Sequence, residues 1–349
     1  MDDRVWAELR SLLRTIRLAG AVPRIVTGAN RKATGFIHAF EHTVQPIVNE
    51  TINNPQERTR VAQSLLSYST KTSFVIAGYA RMTGVPFASD IAVLGLSFTR
   101  LYDDLFDETD DEDLPQRLMD LFDRNMFIPA SDPERLLHRL YEEIDRRLGR
   151  DRDDPIYTAV STMHRYQIQA RCQRDPQTTD LTLAEVTRGK GGHGTLAVFA
   201  LMRAGLHQRE RDLILEIGEA LQLLDDYMDI DEDRLHNTRT LATEGRLALP
   251  DVCRRLRAAQ HRLVAYYGRR NTREFLGICY VTLWMCFLRR QWPQIEPTVH
   301  PRSTWDLVIR PGDNAVSRPG QPSPSTPDNA TNQKSSPGLL KNRPATRGH

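Results

Sequence analysis

Apolar residues in this chain recur every three to four positions, almost without interruption, from about residue 3 to residue 294. That period belongs to the α-helix, which gathers i, i+3, i+4 and i+7 on one face. It is sustained over 58–82, 90–107, 115–126, 133–149, 155–173, 183–204, 208–233 and 246–289. Strand alternation is scarce, and Asn-Gly or Asp-Gly hairpin turns are missing. Breaks are expected at Gly84-Val85-Pro86, Pro129 to Pro133, Asp153-Asp154-Pro155 and Asp175-Pro176. The chain is therefore expected to be all-α, with residues 1–296 forming one domain.

Beyond Pro297 the pattern stops. Nine of the chain's twenty prolines fall in 297–349, among Ser, Thr, Asn and Gly. Such a segment buries too little apolar surface to offset its chain entropy, and a disordered tail is expected. The formal net charge is +2, which points away from nucleic acid as a partner. Cys172, Cys253, Cys279 and Cys286 form no C-x-x-C pair, as expected of buried thiols in a reducing, cytoplasmic compartment. The opening MDDRVWAELRSLLR has no secretory h-region. The most apolar run, LGICYVTLWMCFL at 276–288, falls short of the ~20 residues that span a bilayer, so a buried core helix and no transmembrane segment are expected.

Two acidic clusters stand out. Asp103-Asp104-Leu105-Phe106-Asp107 and Asp225-Asp226-Tyr227-Met228-Asp229 both read D-D-x-x-D and begin 122 residues apart. On a helix, Asp103 and Asp107 share a face, as do Asp225, Asp229 and Asp233. Gly218 and Gln222 fall on the same stripe as the second set, beside an apolar sector of Ile214, Ile217 and Leu221. Carboxylates crowded beside a buried sector repel one another and attract hard divalent cations. A calcium loop is a poorer match, because the D-x-D-x-D-G pattern is absent.

The stretch Gly218-x-x-Leu221-Gln222-x-x-Asp225-Asp226-x-x-Asp229 resembles the second aspartate-rich motif of the class I isoprenoid synthases, G-x-x-F-Q-x-x-D-D-x-x-D, with Leu221 in place of Phe. Asp103-Asp104-x-x-Asp107 is similar to their first motif. The resemblance covers roughly residues 60–294. It implies a helical bundle around a central apolar cavity with a trinuclear Mg²⁺ site at its mouth, and a family that often dimerises. It implies Asp103, Asp104, Asp107, Asp225, Asp226, Asp229 and Asp233 as metal ligands, with Asp103, Asp107, Asp225 and Asp229 central to catalysis.

Several departures bear on the reaction. Chain-elongating members carry basic segments around the first motif for a second diphosphate. Here SYSTKTSFVIAG (67–78) precedes the motif with Lys71 alone, and Arg117 stands alone after it. A class I terpene cyclase acting on one C15 or C20 prenyl diphosphate is thus the expected function, with a trans-prenyltransferase as the alternative. RGKGGHGTLA (188–197) precedes the second motif, and Lys190 occupies the place of a diphosphate-touching lysine. Its glycines imply a helix break or a close backbone approach. Arg234 and Arg239 are placed to grip diphosphate, and Gln222, Phe106 and Tyr227 to line the substrate site.

Overall fold

Proline and glycine mark the helix ends. The computed structural model describes residues 3–13, 22–108, 111–124 and 127–291. The expected tail at 297–349 lies outside them. The described residues contain helices and no strand, so the fold is all-α as expected. Asn54 caps the first long helix by accepting from the amides of Gln56 and Glu57, with Pro55 as its first residue. Gly84 ends that helix at φ +75°, which a side chain would strain. Ser131, Asp154 and Thr179 cap later helices in the same way.

In chain order the helices are α1 (Asp3–Leu13), α2 (Val22–Thr43), α3 (Gln45–Thr51), α4 (Pro55–Thr83), α5 (Ser89–Glu108), α6 (Leu114–Arg124) and α7 (Asp132–Leu148). There follow α8 (Pro155–Gln169), α9 (Asp180–Ala200), α10 (Gln208–Met228), α11 (Ile230–Leu235), α12 (Leu249–Tyr267) and α13 (Arg269–Gln291). The periodic stretch 246–289 is two helices rather than one. Gly268, at φ +85°, supplies the turn between α12 and α13.

The core runs through the bundle, with α4 packed on α5 and α13, and α9 on α8 and α10. The apolar run of α13 is buried as expected: Phe275, Cys279, Leu283 and Phe287 are nearly inaccessible. A Cβ on Gly78 of α4 would stand 3.2 Å from Phe275 Cα, so the two helix backbones approach closely there. No helix among the described residues is long and apolar enough to cross a membrane.

Candidate functional site

The second motif is positioned by a glycine crossing. Helix α9 runs unbroken through its glycines, so the helix-break alternative is set aside and the close approach holds. A Cβ on Gly218 would lie 2.5 Å from the Gly191 carbonyl oxygen, and one on Gly191 would lie 2.3 Å from Gln222 Cβ. Helices α9 and α10 can meet here only because both positions lack a side chain. The crossing brings Lys190 within electrostatic reach of Asp225, Asp226 and Asp233.

Helix α10 stops at Met228, and Asp229 joins it to α11 with φ −94° and ψ 11°. The helical ladder nonetheless continues. Asp229 N–H donates to Asp225 O at 3.0 Å, and Asp233 N–H to Asp229 O at 2.7 Å. The expected row of Asp225, Asp229 and Asp233 therefore survives the break.

Asp226 is the buried member, 8% exposed, and accepts from Thr187 Oγ1 at 3.1 Å and Gln222 Nε2 at 3.1 Å. Burial pushes its carboxyl up to about 6. Asp229 and Asp233 are each pushed up to about 7, first by desolvation and then by neighbouring carboxylates. Asp225 is likewise raised, mainly by desolvation, while Lys190 and a Gln222 hydrogen bond oppose the shift. Asp225 and Asp229 are open to solvent by area. Their tips reach water while the protein packed around them disfavours the charged form.

The first motif lies on α5. Asp103 is half-buried and raises the proton affinity of the Tyr68 phenol on α4; Asp225 does the same to that phenol. Asp103 and Asp225 thus both lie within electrostatic reach of one phenol, although α5 packs mainly on α4, α7 and α2 while α10 packs on α9 and α12. The half-buried Tyr68 ring rests against a buried cluster of Ile76, Ala92 and Leu96. Behind the motif, Tyr102 donates to His164 Nδ1 at 2.7 Å, because His164 Nε2, 2.8 Å from the Pro115 carbonyl, must carry the ring proton. This buried triangle ties α5 to α8 and to the start of α6.

The other expected site residues divide. Asp104 is paired with Arg100 at 2.7 Å. The Asp107 side chain lies outside the described residues. Phe106 packs inward on Tyr102 and His164, with ring centroids 5.1 and 5.6 Å away, rather than at a rim. Tyr227, 1% exposed, is buried; its hydroxyl donates to Glu8 and Arg290 covers its ring. Arg239 has several partners. Its guanidinium is committed to Glu244 and to the carbonyls of Asp175, Pro176 and Thr178, so it fastens a loop. Arg234 is exposed and lies 3.9 Å from Asp231. Gln222 and Lys190 stay beside the acids.

Sequence reasoning passed over Tyr68, Thr187 and His164. The available signal for Tyr68 was SYSTKTS (67–73), seven consecutive polar residues inside a long helix with buried neighbours.

The site offers hard oxygen donors, surplus negative charge, neutral hydrogen-bond donors and one lysine. Among the described residues no three Asp, Glu, His or Cys side chains converge closely enough to hold a metal ion. A Mg²⁺ ion that keeps several waters and takes one or two carboxylates plus phosphate oxygens needs no such closed cage, so the donor chemistry fits it. No family model, no curated protein and no solved structure matches this chain.

Proposed function

We propose that this chain is a class I terpene cyclase built on the isoprenoid synthase bundle, ionising one C15 or C20 prenyl diphosphate to a terpene hydrocarbon or alcohol. The observation that carries the reading is that Asp103 and Asp225 both lie within electrostatic reach of one phenol. Two D-D-x-x-D motifs, 122 residues apart in sequence, act on the same Tyr68 phenol. Asp103, Asp225, Asp229 and Asp233 would hold Mg²⁺. When bound, that cation supplies charge neutralisation for a leaving diphosphate.

The protein's own groups do the rest. Lys190 adds a fixed positive charge beside the leaving group. Gln222 and Thr187 hold Asp226 in place by donating to its two oxygens. Behind Tyr68 the packing is apolar, with Ile76, Ala92 and Leu96 fully buried.

A single-diphosphate reaction is favoured by where the arginines go. Arg117 is engaged by Asp111 at 2.7 Å and Glu134 at 2.9 Å, and Arg100 by Asp104. Neither is available to a second diphosphate. The test is incubation with Mg²⁺ and farnesyl or geranylgeranyl diphosphate alone, followed by product analysis. Hydrocarbon or alcohol products are expected. Turnover that appears only when isopentenyl diphosphate is added would replace this reading with the prenyltransferase.

A further inference from the structure

The opposite end of α10 carries the opposite charge. Residues 249–291, which form α12 and α13, hold nine arginines, no lysine and two acids, a net +7 in a chain whose total is +2. Most of those arginines serve the protein itself. Arg254 pairs with Asp251, Arg255 with Glu219 at 3.7 Å, and Arg262 with Glu216 at 2.9 Å. Arg257 and Arg290 donate to backbone carbonyls.

Arg269, Arg270 and Arg273 differ. All three are exposed, and their side chains make no ion pair or hydrogen bond among the described residues. Arg269 and Arg270 occupy the first turn of α13, where a helix favours anions, and Arg273 lies one turn further on. The carbonyl end of α12, one residue away across Gly268, offsets part of that cost. The like-charge i,i+4 pair of Arg269 and Arg273 remains repulsive.

The corner extends into a wider basic surface. Arg209, at the start of α10, lies over the Tyr266 ring at 5.3 Å. The acids nearby are already in use. Glu210 binds Arg203 at 2.6 Å and the Tyr267 hydroxyl at 2.9 Å; Glu274 binds Lys32 at 2.7 Å and Arg81 at 3.0 Å; Asp212 accepts from Gln208.

We infer that the α12–α13 corner is a docking surface for an anionic lipid bilayer. Every residue of the corner from Gly268 to Arg273 is exposed except Thr272. An exposed turn between two helices can meet a plane, whereas a single strand of nucleic acid needs a groove and open rings for stacking. The ring faces here are in use: Arg209 lies over Tyr266, and the Tyr266 and Tyr267 rings pack edge to face at 4.7 Å. Arginines beside half-buried tyrosines have the composition of an interfacial anchor. The charge layout also sets orientation. Asp225 lies near the far end of the 21-residue α10, about 25 Å from Arg209 at 1.5 Å per residue. A surface that attracts the corner repels the acidic row and leaves it facing solution.

The test is co-sedimentation of the full chain with phosphatidylserine–phosphatidylcholine vesicles and with pure phosphatidylcholine vesicles. Binding is expected on the anionic vesicles at low salt and is lost at high salt. Each arginine multiplies partitioning about fivefold, so R269Q/R270Q/R273Q weakens binding roughly 100-fold. The charge-preserving R269K/R270K/R273K retains most of it. Equal binding to neutral vesicles, no binding at all, or an unchanged glutamine variant would overturn the inference. So would tighter capture of single-stranded RNA that the same glutamine variant abolishes.

Discussion

The two D-D-x-x-D motifs are spelled alike and behave differently. On α5, Asp104 is neutralised by Arg100 one turn earlier, and Asp111 downstream is held by Arg117. From the end of α10 into α11, Asp225, Asp226, Asp229 and Asp233 all have raised proton affinities, and Lys190 is a nearby cation for Asp225, Asp226 and Asp233. A motif's letters specify which oxygens are present. The residues one turn away, and the helices packed behind, decide how much uncompensated charge those oxygens carry.

The widest separation is expected from mutating one acid in each setting. Asp225→Asn should lower turnover about a hundred- to a thousandfold, the loss typical of a group that stabilises developing charge. Asp104→Asn should cost less than about tenfold, because Arg100 already balances that carboxylate. Steady-state rates with matched circular dichroism spectra check both. Equal losses would erase the distinction.

The α9–α10 crossing ranks next. Gly218→Ala forces a Cβ to 2.5 Å from a backbone oxygen that cannot swing away. A loss of roughly 3 kcal/mol in urea unfolding is expected. Gly35→Ala, where a Cβ meets nothing within 4 Å, should leave stability unchanged or slightly improved.

Acid should act on the two sides with opposite sign. Burial lowers His164, behind the first motif, from 6.5 to about 4. Its unfolded form binds the proton first, so its contribution is whole above pH 6.5 and is lost as pH falls toward 4. Asp226 is raised from 3.8 to about 6, so its contribution is present below 3.8 and is lost as pH rises through 6. In metal-free buffer, moving from pH 7 to pH 5 should cost His164→Gln about 2 kcal/mol less than wild type. The same move should cost Asp226→Asn about 1 kcal/mol more than wild type. Urea midpoints at both pH values test this, and shifts of the same sign would contradict it.

The smallest expected effect is that of Tyr68→Phe. The ring keeps its place on Ile76 and Leu96 while one hydrogen-bonding group facing both motifs is lost. A fall of about fivefold in Mg²⁺–diphosphate affinity with an unchanged melting temperature is expected.

Much of this was legible in the linear sequence. Pro55, Pro133, Pro155 and Gly84 mark helix ends chemically, and the i,i+4 row of Asp225, Asp229 and Asp233 survives a real break at Asp229. What escaped depends on partners distant in sequence. Tyr227 sits inside the motif yet belongs to the core, because Glu8 lies 219 positions away. Arg239 is a loop clamp only because residues 175–178 fold beneath it. The Arg100–Asp104 pair, by contrast, was available at i,i+4 spacing. YYGRRNTR (266–273) was hidden by a nearly balanced total charge.

The central claim is that Asp103 and Asp225 serve one cation-dependent anion site. Calorimetric titration of inorganic diphosphate in Mg²⁺, using wild type, Asp103→Asn, Asp225→Asn and the double variant, tests it most directly. Each single variant should weaken binding by about tenfold or more, and the double variant should lose little beyond the worse single. Fully additive losses, or binding indifferent to either residue, would show that the two motifs do not share a site.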